Sequence, residues 1–285
     1  MNGFARAVNL LPQSIRQAAS EFSDAEEIRL RAGRRPSLLI NGRERELNCP
    51  ELDILDIQRI IEKMTGASLH TAANELAEGY LNCMGLRAGI CGKAIIYNGE
   101  LRGFKDFSSL AIRIPRECRG ICAPFMEEIY LKGFRNTLLI SGPGGGKTTA
   151  LRELIRCLSD SGIRIGVVDE RNELSASENG VFRFDLGSHS DVLVQMPKAA
   201  GAMMLLRGMN PEIIAMDEIS TPSDLSAVSQ IYGCGVGLLA SAHAKNTDEL
   251  YRRPLYKKLM AMEIFTYIVT ISVLCGKRTY TAERI

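Results

Sequence analysis

The residues Thr137-Leu138-Leu139-Ile140-Ser141-Gly142-Pro143-Gly144-Gly145-Gly146-Lys147-Thr148-Thr149 decide how this chain is read. A short apolar run enters a glycine-rich turn and leaves it as a helix over Ala150 to Leu158. Such a corner points several backbone N–H groups and the positive end of a helix dipole at one place, and an anion belongs there. Glycines at 142, 144, 145 and 146 let the backbone close on a phosphate without obstruction by Cβ atoms. Lys147 reaches the β and γ oxygens, and Thr148 offers a hydroxyl to Mg²⁺. The expected cofactors are ATP and Mg²⁺, with Ser141, Gly142, Pro143, Gly144, Gly145, Gly146, Lys147, Thr148 and Thr149 forming the phosphate loop. The usual pattern is G-x-x-x-x-G-K-[ST]; Ser141 stands where its first glycine would be, and Gly142 is expected to take over the flexibility of the loop entrance.

Downstream, Ile213-Ile214-Ala215-Met216-Asp217-Glu218 is an apolar strand that delivers two carboxylates at its end. Asp217 is expected to hold Mg²⁺ through water or the Thr148 hydroxyl, and Glu218 to polarise the attacking water. Between loop and strand, Ile165-Gly166-Val167-Val168-Asp169-Glu170 ends a further strand in acids. It is expected beside the γ-phosphate, which makes Glu170 a rival for the general base. Ala240-Ser241-Ala242-His243-Ala244 closes another apolar strand. His243 reads as a γ-phosphate sensor or as a packed structural imidazole. Short apolar runs at 137–140, 163–168, 213–216 and 236–241 alternate with helical segments, the pattern of a parallel sheet covered on both faces.

Upstream the pattern differs. Glu27-Ile28-Arg29-Leu30-Arg31 alternates at strand period, and Ser37-Leu38-Leu39-Ile40 runs into the hairpin dipeptide Asn41-Gly42. Apolar residues from Leu52 to Met64 recur at helical steps, with Asp53 and Asp56 in the first turns and Gly66 beyond. Arg87 to Tyr97 reads as one or two strands broken by glycines, followed by a turn at Asn98-Gly99. The expected organisation is a smaller α+β N-terminal domain over 1–118, a linker region over 119–135 that carries a helical segment from Phe125 to Leu131, and an α/β nucleotide-binding domain over 136–285.

Composition narrows the partners. At 285 residues, 46% hydrophobic and 24% charged, the chain has the profile of an ordinary two-domain globular protein, and no window has the apolar length to cross a bilayer. The N-terminus lacks a secretory pattern, which points to the cytoplasm. A net charge of +2 with no extended basic and aromatic stretch disfavours a nucleic-acid motor. Arg29, Arg31, Arg34, Arg35, Arg43 and Arg45 read as a solvated basic face, and Cys118 and Cys122 as reduced thiols without zinc.

The order of phosphate loop, Val167-Val168-Asp169-Glu170-Arg171, Asp217-Glu218 and Ser241-Ala242-His243-Ala244 resembles the Walker A, Asp box, Walker B and His box of the type II/type IV secretion ATPases. Within that group the chain is similar to the stage III sporulation AA family, through Glu27 to Arg31, Gly89 to Ala94, Lys105 to Ile114, Asp191 to Leu193, Pro197-Lys198-Ala199 and Met203 to Arg207. The resemblance implies an ATPase with a RecA-like C-terminal motor behind a smaller N-terminal domain. It implies a homo-oligomeric ring, a hexamer, working peripherally to integral membrane channel proteins between mother cell and forespore. It also implies arginines of the N-terminal half approaching the phosphates, with Arg113 and Arg116 as the candidates. A nucleotide-gated ring scaffold with little turnover is the alternative.

Overall fold

The computed structural model describes residues 3–66, 72–115, 117–130, 133–177, 180–274 and 277–285. The chain separates into two compact units, Met1–Arg116 and Glu117–Ile285.

In the first unit α1 (Gly3–Asn9) and α2 (Gln13–Ala19) precede β1 (Glu27–Arg31), β2 (Ser37–Ile40) and β3 (Arg43–Glu46). Next come α3 (Ile54–Met64), α4 (Ala73–Ala77), β4 (Tyr80–Cys83), β5 (Leu86–Tyr97) and β6 (Glu100–Arg113). The strands form one sheet in the order β3-β2-β1-β6-β5-β4, with every neighbouring pair antiparallel. The expected turns form at Asn41-Gly42 and Asn98-Gly99, where all four residues take positive φ, the demand of the tight hairpin turns that favour Asn-Gly. Asp53, expected inside the first turn of α3, is its N-cap: it accepts from Asp56 N at 2.7 Å while Asp56 accepts from Asp53 N at 3.1 Å. β5 and β6 form one long hairpin. β4 pairs β5 only over 86–89 and β1 pairs β6 only over 109–113, so the rest of the hairpin extends as a two-stranded ribbon.

The second unit begins with α5 (Ala123–Tyr130), within the stretch read as a linker; it buries Phe125 and Ile129 in that unit's core. Then follow β7 (Thr137–Ser141), α6 (Lys147–Asp160), β8 (Ile165–Asp169), β9 (Ser190–Val194), α7 (Lys198–Gly208) and β10 (Ile213–Glu218). The unit ends with α8 (Pro222–Gly233), β11 (Gly237–His243), α9 (Thr247–Arg252), α10 (Pro254–Met260), β12 (Tyr267–Leu274) and β13 (Lys277–Arg284). The sheet order is β13-β12-β7-β11-β10-β8-β9. All neighbours from β12 to β9 are parallel, and β13 is an antiparallel edge.

The central strands are apolar without alternation because both of their faces are buried. Leu138, Ile140, Ile214 and Met216 pack into a cluster with Leu205 of α7 and Val228 of α8. Leu139, Val167 and Ala215 pack into a second cluster with Leu151 and Leu154 of α6 and Phe125 of α5. The expected parallel α/β sheet covered on both faces is therefore present. Among the described residues no helix is long and apolar enough to cross a membrane.

α7 lies very close to β8: a Cβ added at Gly201 would stand 2.8 Å from Val168 Cγ1. Gly201→Leu is expected to lower stability by about 1–3 kcal/mol through overpacking, measured as a lower urea midpoint with an unchanged slope.

Candidate functional site

The parallel strands β7, β11, β10 and β8 end on one edge of the sheet, the edge where open α/β folds bind ligands. β7, wholly buried, passes into the loop 142–146, and α6 starts at Lys147, three residues earlier than the sequence suggests. Ala150 N donates to Gly146 O at 2.9 Å, so the amides of Lys147, Thr148 and Thr149 lie at the open end of a 14-residue helix.

The loop needs its glycines. Gly144 and Gly146 take φ of +69° and +100°, in the left-handed region, and a Cβ on Gly145 would stand 2.4 Å from Ser141 Oγ. Gly142 does not take a positive φ, so the flexibility expected of it belongs to Gly144 and Gly146. Ser141 is compatible with the entrance because it ends β7 in extended form and its hydroxyl donates to Gly142 O at 2.8 Å.

Lys147 is 7% exposed and turns back over the end of its own strand. Its Nζ donates to Ser141 O at 3.3 Å and to His243 Nδ1 at 2.8 Å. With the ammonium as donor, Nδ1 accepts and the ring proton sits on Nε2, 2.9 Å from Glu218 Oε2. Burial pushes the Lys147 pKa down and the Glu218 carboxylate opposes it. The contact follows from register: His243 is the direct partner of Ser141 in the β11–β7 ladder. Tyr256 and Arg253 fix the histidine backbone, accepting from His243 N at 3.1 Å and donating to His243 O at 3.0 Å. A cleft of about 380 Å³ opens beside these groups, lined among others by Gly142, Pro143, Glu218, His243, Lys245 and Arg253.

Glu218 ends β10, where the ladder with β11 slips between Ala215 and Glu218. Asp217, one residue earlier, is 8% exposed. Burial pushes its carboxyl up to about 7 against the opposing charge of Lys198, with Asp169 and Glu170 adding to the rise. Asp217 Oδ1 lies 3.2 Å from Lys198 Nζ, close enough for charge pairing, yet it is off the hydrogen-bonding direction and has no hydrogen-bond partner.

β8 does not neighbour β7; β11 and β10 stand between them. At about 4.8 Å per strand that is roughly 14 Å, so Glu170 is not placed beside the loop as expected. Its carboxylate pairs with Lys198 Nζ, which also faces Asp224 at 3.8 Å. Asp169 is fully buried and shapes the following turn, accepting from Glu173 N, Leu174 N, Ser175 N and Ser175 Oγ at 2.7–3.0 Å.

Sequence reasoning missed two cations here. Lys198, first residue of α7 and 4% exposed, gathers Glu170, Asp217 and Asp224. It stood in the sequence only as part of Pro197-Lys198-Ala199, and no spacing rule links it to acids on other elements. Burial works against its charge, but the three carboxylates outweigh that and raise its pKa. Arg278 of β13 donates through Nε to Gly145 O at 3.2 Å. In the first unit Arg113 is exposed and faces Glu27 at 3.9 Å. Arg116 lies outside the described residues.

These residues fit a phosphate chain with a divalent cation. Glycine closes the cradle where a Cβ would clash, and the Asp217 carboxylate carries an oxygen without a hydrogen bond. Among the described residues no cluster of three or more His, Cys, Asp or Glu could hold a metal alone. Mg²⁺ takes one or two protein ligands and completes its shell with phosphate oxygens and water.

Residues 5–279 match the family described as Sporulation stage III, protein AA. This chain belongs to that family. Stage III sporulation protein AA of Bacillus subtilis (strain 168) is 34% identical over 282 residues, which cover 95% of this chain and 91% of that protein. The uncharacterized protein ycf45 of Cyanidium caldarium is 32% identical over 185 residues, 64% of this chain and 54% of that one. Among solved structures, the ATPase DotB of Yersinia pseudotuberculosis superposes with a TM-score of 0.63 at 15% identity, over 98% of this chain and 78% of its own. The pilus retraction motor PilT with bound ADP gives 0.60 at 18%, over 95% and 82%. The fold is thus the RecA-like one of the secretion ATPases.

Because the folded-state pKa of Asp217 is raised from 3.8 to about 7, its contribution to stability is full below about pH 4 and is lost as pH rises through about 7. In nucleotide-free, metal-free buffer, Asp217→Asn is expected to flatten the fall of the thermal midpoint over that window, read by differential scanning fluorimetry.

Proposed function

We propose that this protein binds ATP with Mg²⁺ on the Ser141–Thr149 loop, hydrolyses it, and works as a motor. The observation that carries the reading is the chain of contacts from Lys147 through His243 to Glu218. It joins the cation that grips phosphate to a carboxylate able to take a proton.

The amides at the start of α6 and the glycine loop hold the phosphates, and Lys147 supplies a charge to the β and γ oxygens. Lys147 donates to a carbonyl and an imidazole nitrogen. A phosphate oxygen is the stronger acceptor, because charge-assisted hydrogen bonds are roughly twice as strong as neutral ones. Drawing Lys147 away leaves His243 Nδ1 open, so loop occupancy is felt at the imidazole that holds Glu218. Thr148 and Asp217 would hold Mg²⁺, which would neutralise charge on the transferred phosphoryl group when bound.

Glu218 is the better candidate for orienting water. It ends the second strand from β7 and borders the cleft. Glu170 directly follows the third, β8, and its carboxylate is engaged by Lys198. His243 reads as the sensor of the γ-phosphate. Family membership supports placing the motor at a sporulation channel between mother cell and forespore, on the cytoplasmic face in the mother cell. The resemblance to secretion ATPases supports a homo-oligomeric ring, a hexamer, acting on integral membrane channel proteins.

Lys147→Ala is expected to abolish ATP binding by calorimetry, whereas Glu218→Gln retains binding and loses phosphate release by at least about a hundredfold. Full turnover in both variants would refute the assignment. Tight binding with no phosphate release by the unsubstituted protein would instead favour the scaffold reading.

A further inference from the structure

Beyond the width of its sheet, the β5–β6 ribbon ends in apolar side chains that face water. Ile95 is 43% exposed, Ile96 66%, Tyr97 65% and Leu101 38%. Ile96 pairs with Leu101 and Tyr97 with Glu100, so these groups gather on the last rungs before the Asn98-Gly99 turn. Successive residues of a strand point to opposite faces. The ladder slips between Ile95 and Ile96 with the extra residue, Arg102, on β6, so β5 keeps its alternation: Ile95 and Tyr97 lie on one face and Ile96 on the other, and both faces of the tip carry exposed apolar groups. A bilayer interface can take up both faces of such a tip at once.

The charges behind the tip indicate which interface. Lys93 and Lys105, both exposed, are direct cross-strand partners. Like charges opposite one another cost energy in water, and anionic headgroups relieve that cost. Asp106, next to Lys105, offsets one of these two charges. Lys93 and Ile96 are three residues apart, about 10 Å along an extended strand. Interfacial insertion reaches about 5–10 Å into the headgroup and acyl boundary. Tyrosine is among the residues enriched at that depth.

We infer that the tip of the β5–β6 hairpin inserts into the surface of an anionic lipid bilayer, with Lys93 and Lys105 against the headgroups. The apolar tip carries most of the affinity. The single net positive charge gives a preference for anionic over zwitterionic lipid of about fivefold.

The test is co-sedimentation of the full chain with phosphatidylcholine vesicles, with and without phosphatidylglycerol. The unsubstituted protein is expected to bind both, with the stated preference. Ile96→Asp with Tyr97→Asp is expected to weaken binding by at least about tenfold at an unchanged unfolding midpoint, since both side chains are exposed. Lys93→Gln with Lys105→Gln is expected to remove the preference for phosphatidylglycerol and leave binding to phosphatidylcholine. Absence of vesicle binding, or equal binding by the aspartate variant, overturns the inference. So does an oligomer that dissociates in the aspartate variant without lipid, because a second copy would then be what covers the tip.

Discussion

The chemistry-bearing edge of the second sheet depends on one constraint: β7 must turn into α6 within five residues while its last side chain and its lysine both fold back over the strand end. Only backbone without Cβ at Gly145 can pass Ser141 Oγ, and only left-handed residues at 144 and 146 can complete the turn. That turn brings Lys147 above β7, and parallel register brings His243 to the same height on β11. From there the order of strands does the rest, setting Glu218 one strand further out and Glu170 two. A phosphate site and a proton-accepting carboxylate thus arise from one local backbone path and one pattern of strand pairing.

Two lysines divide the electrostatic labour. Lys147 is buried with neutral acceptors, so its charge is held at a cost that an anion relieves. Lys198 is buried among carboxylates, and its charge is already compensated. The first ammonium is poised for exchange of partners and the second is fixed. This contrast separates a group suited to meet substrate from one suited to keep acids on neighbouring elements in place.

Much of this was legible in the residues, for identifiable reasons. β7 and β8 are fully buried, β10 and β11 are buried except at their ends, and all four read as apolar runs; the glycine loop has few structural rivals. β9 was not legible, because Ser190–Val194 is half-buried and mixed in character, nor was β13, which is mostly exposed and polar. The order of strands is a non-local property, so placing Glu170 beside the loop failed although both segments were correctly read as strands. The contacts that define the site are non-local too. Lys198 meets Glu170 across 28 positions and Lys147 meets His243 across 96. Ser141 is intelligible only once its hydroxyl is seen to close on Gly142 O.

The sharing of Lys198 among three acids has a consequence for descent. A substitution that removes the ammonium strands two buried carboxylates and frees the partly exposed Glu170, and one that removes a carboxylate leaves the ammonium less compensated. Stepwise drift at any of the four positions is therefore penalised until the others have changed. Lineages of this fold should inherit Lys198, Glu170, Asp217 and Asp224 as a block or exchange them together.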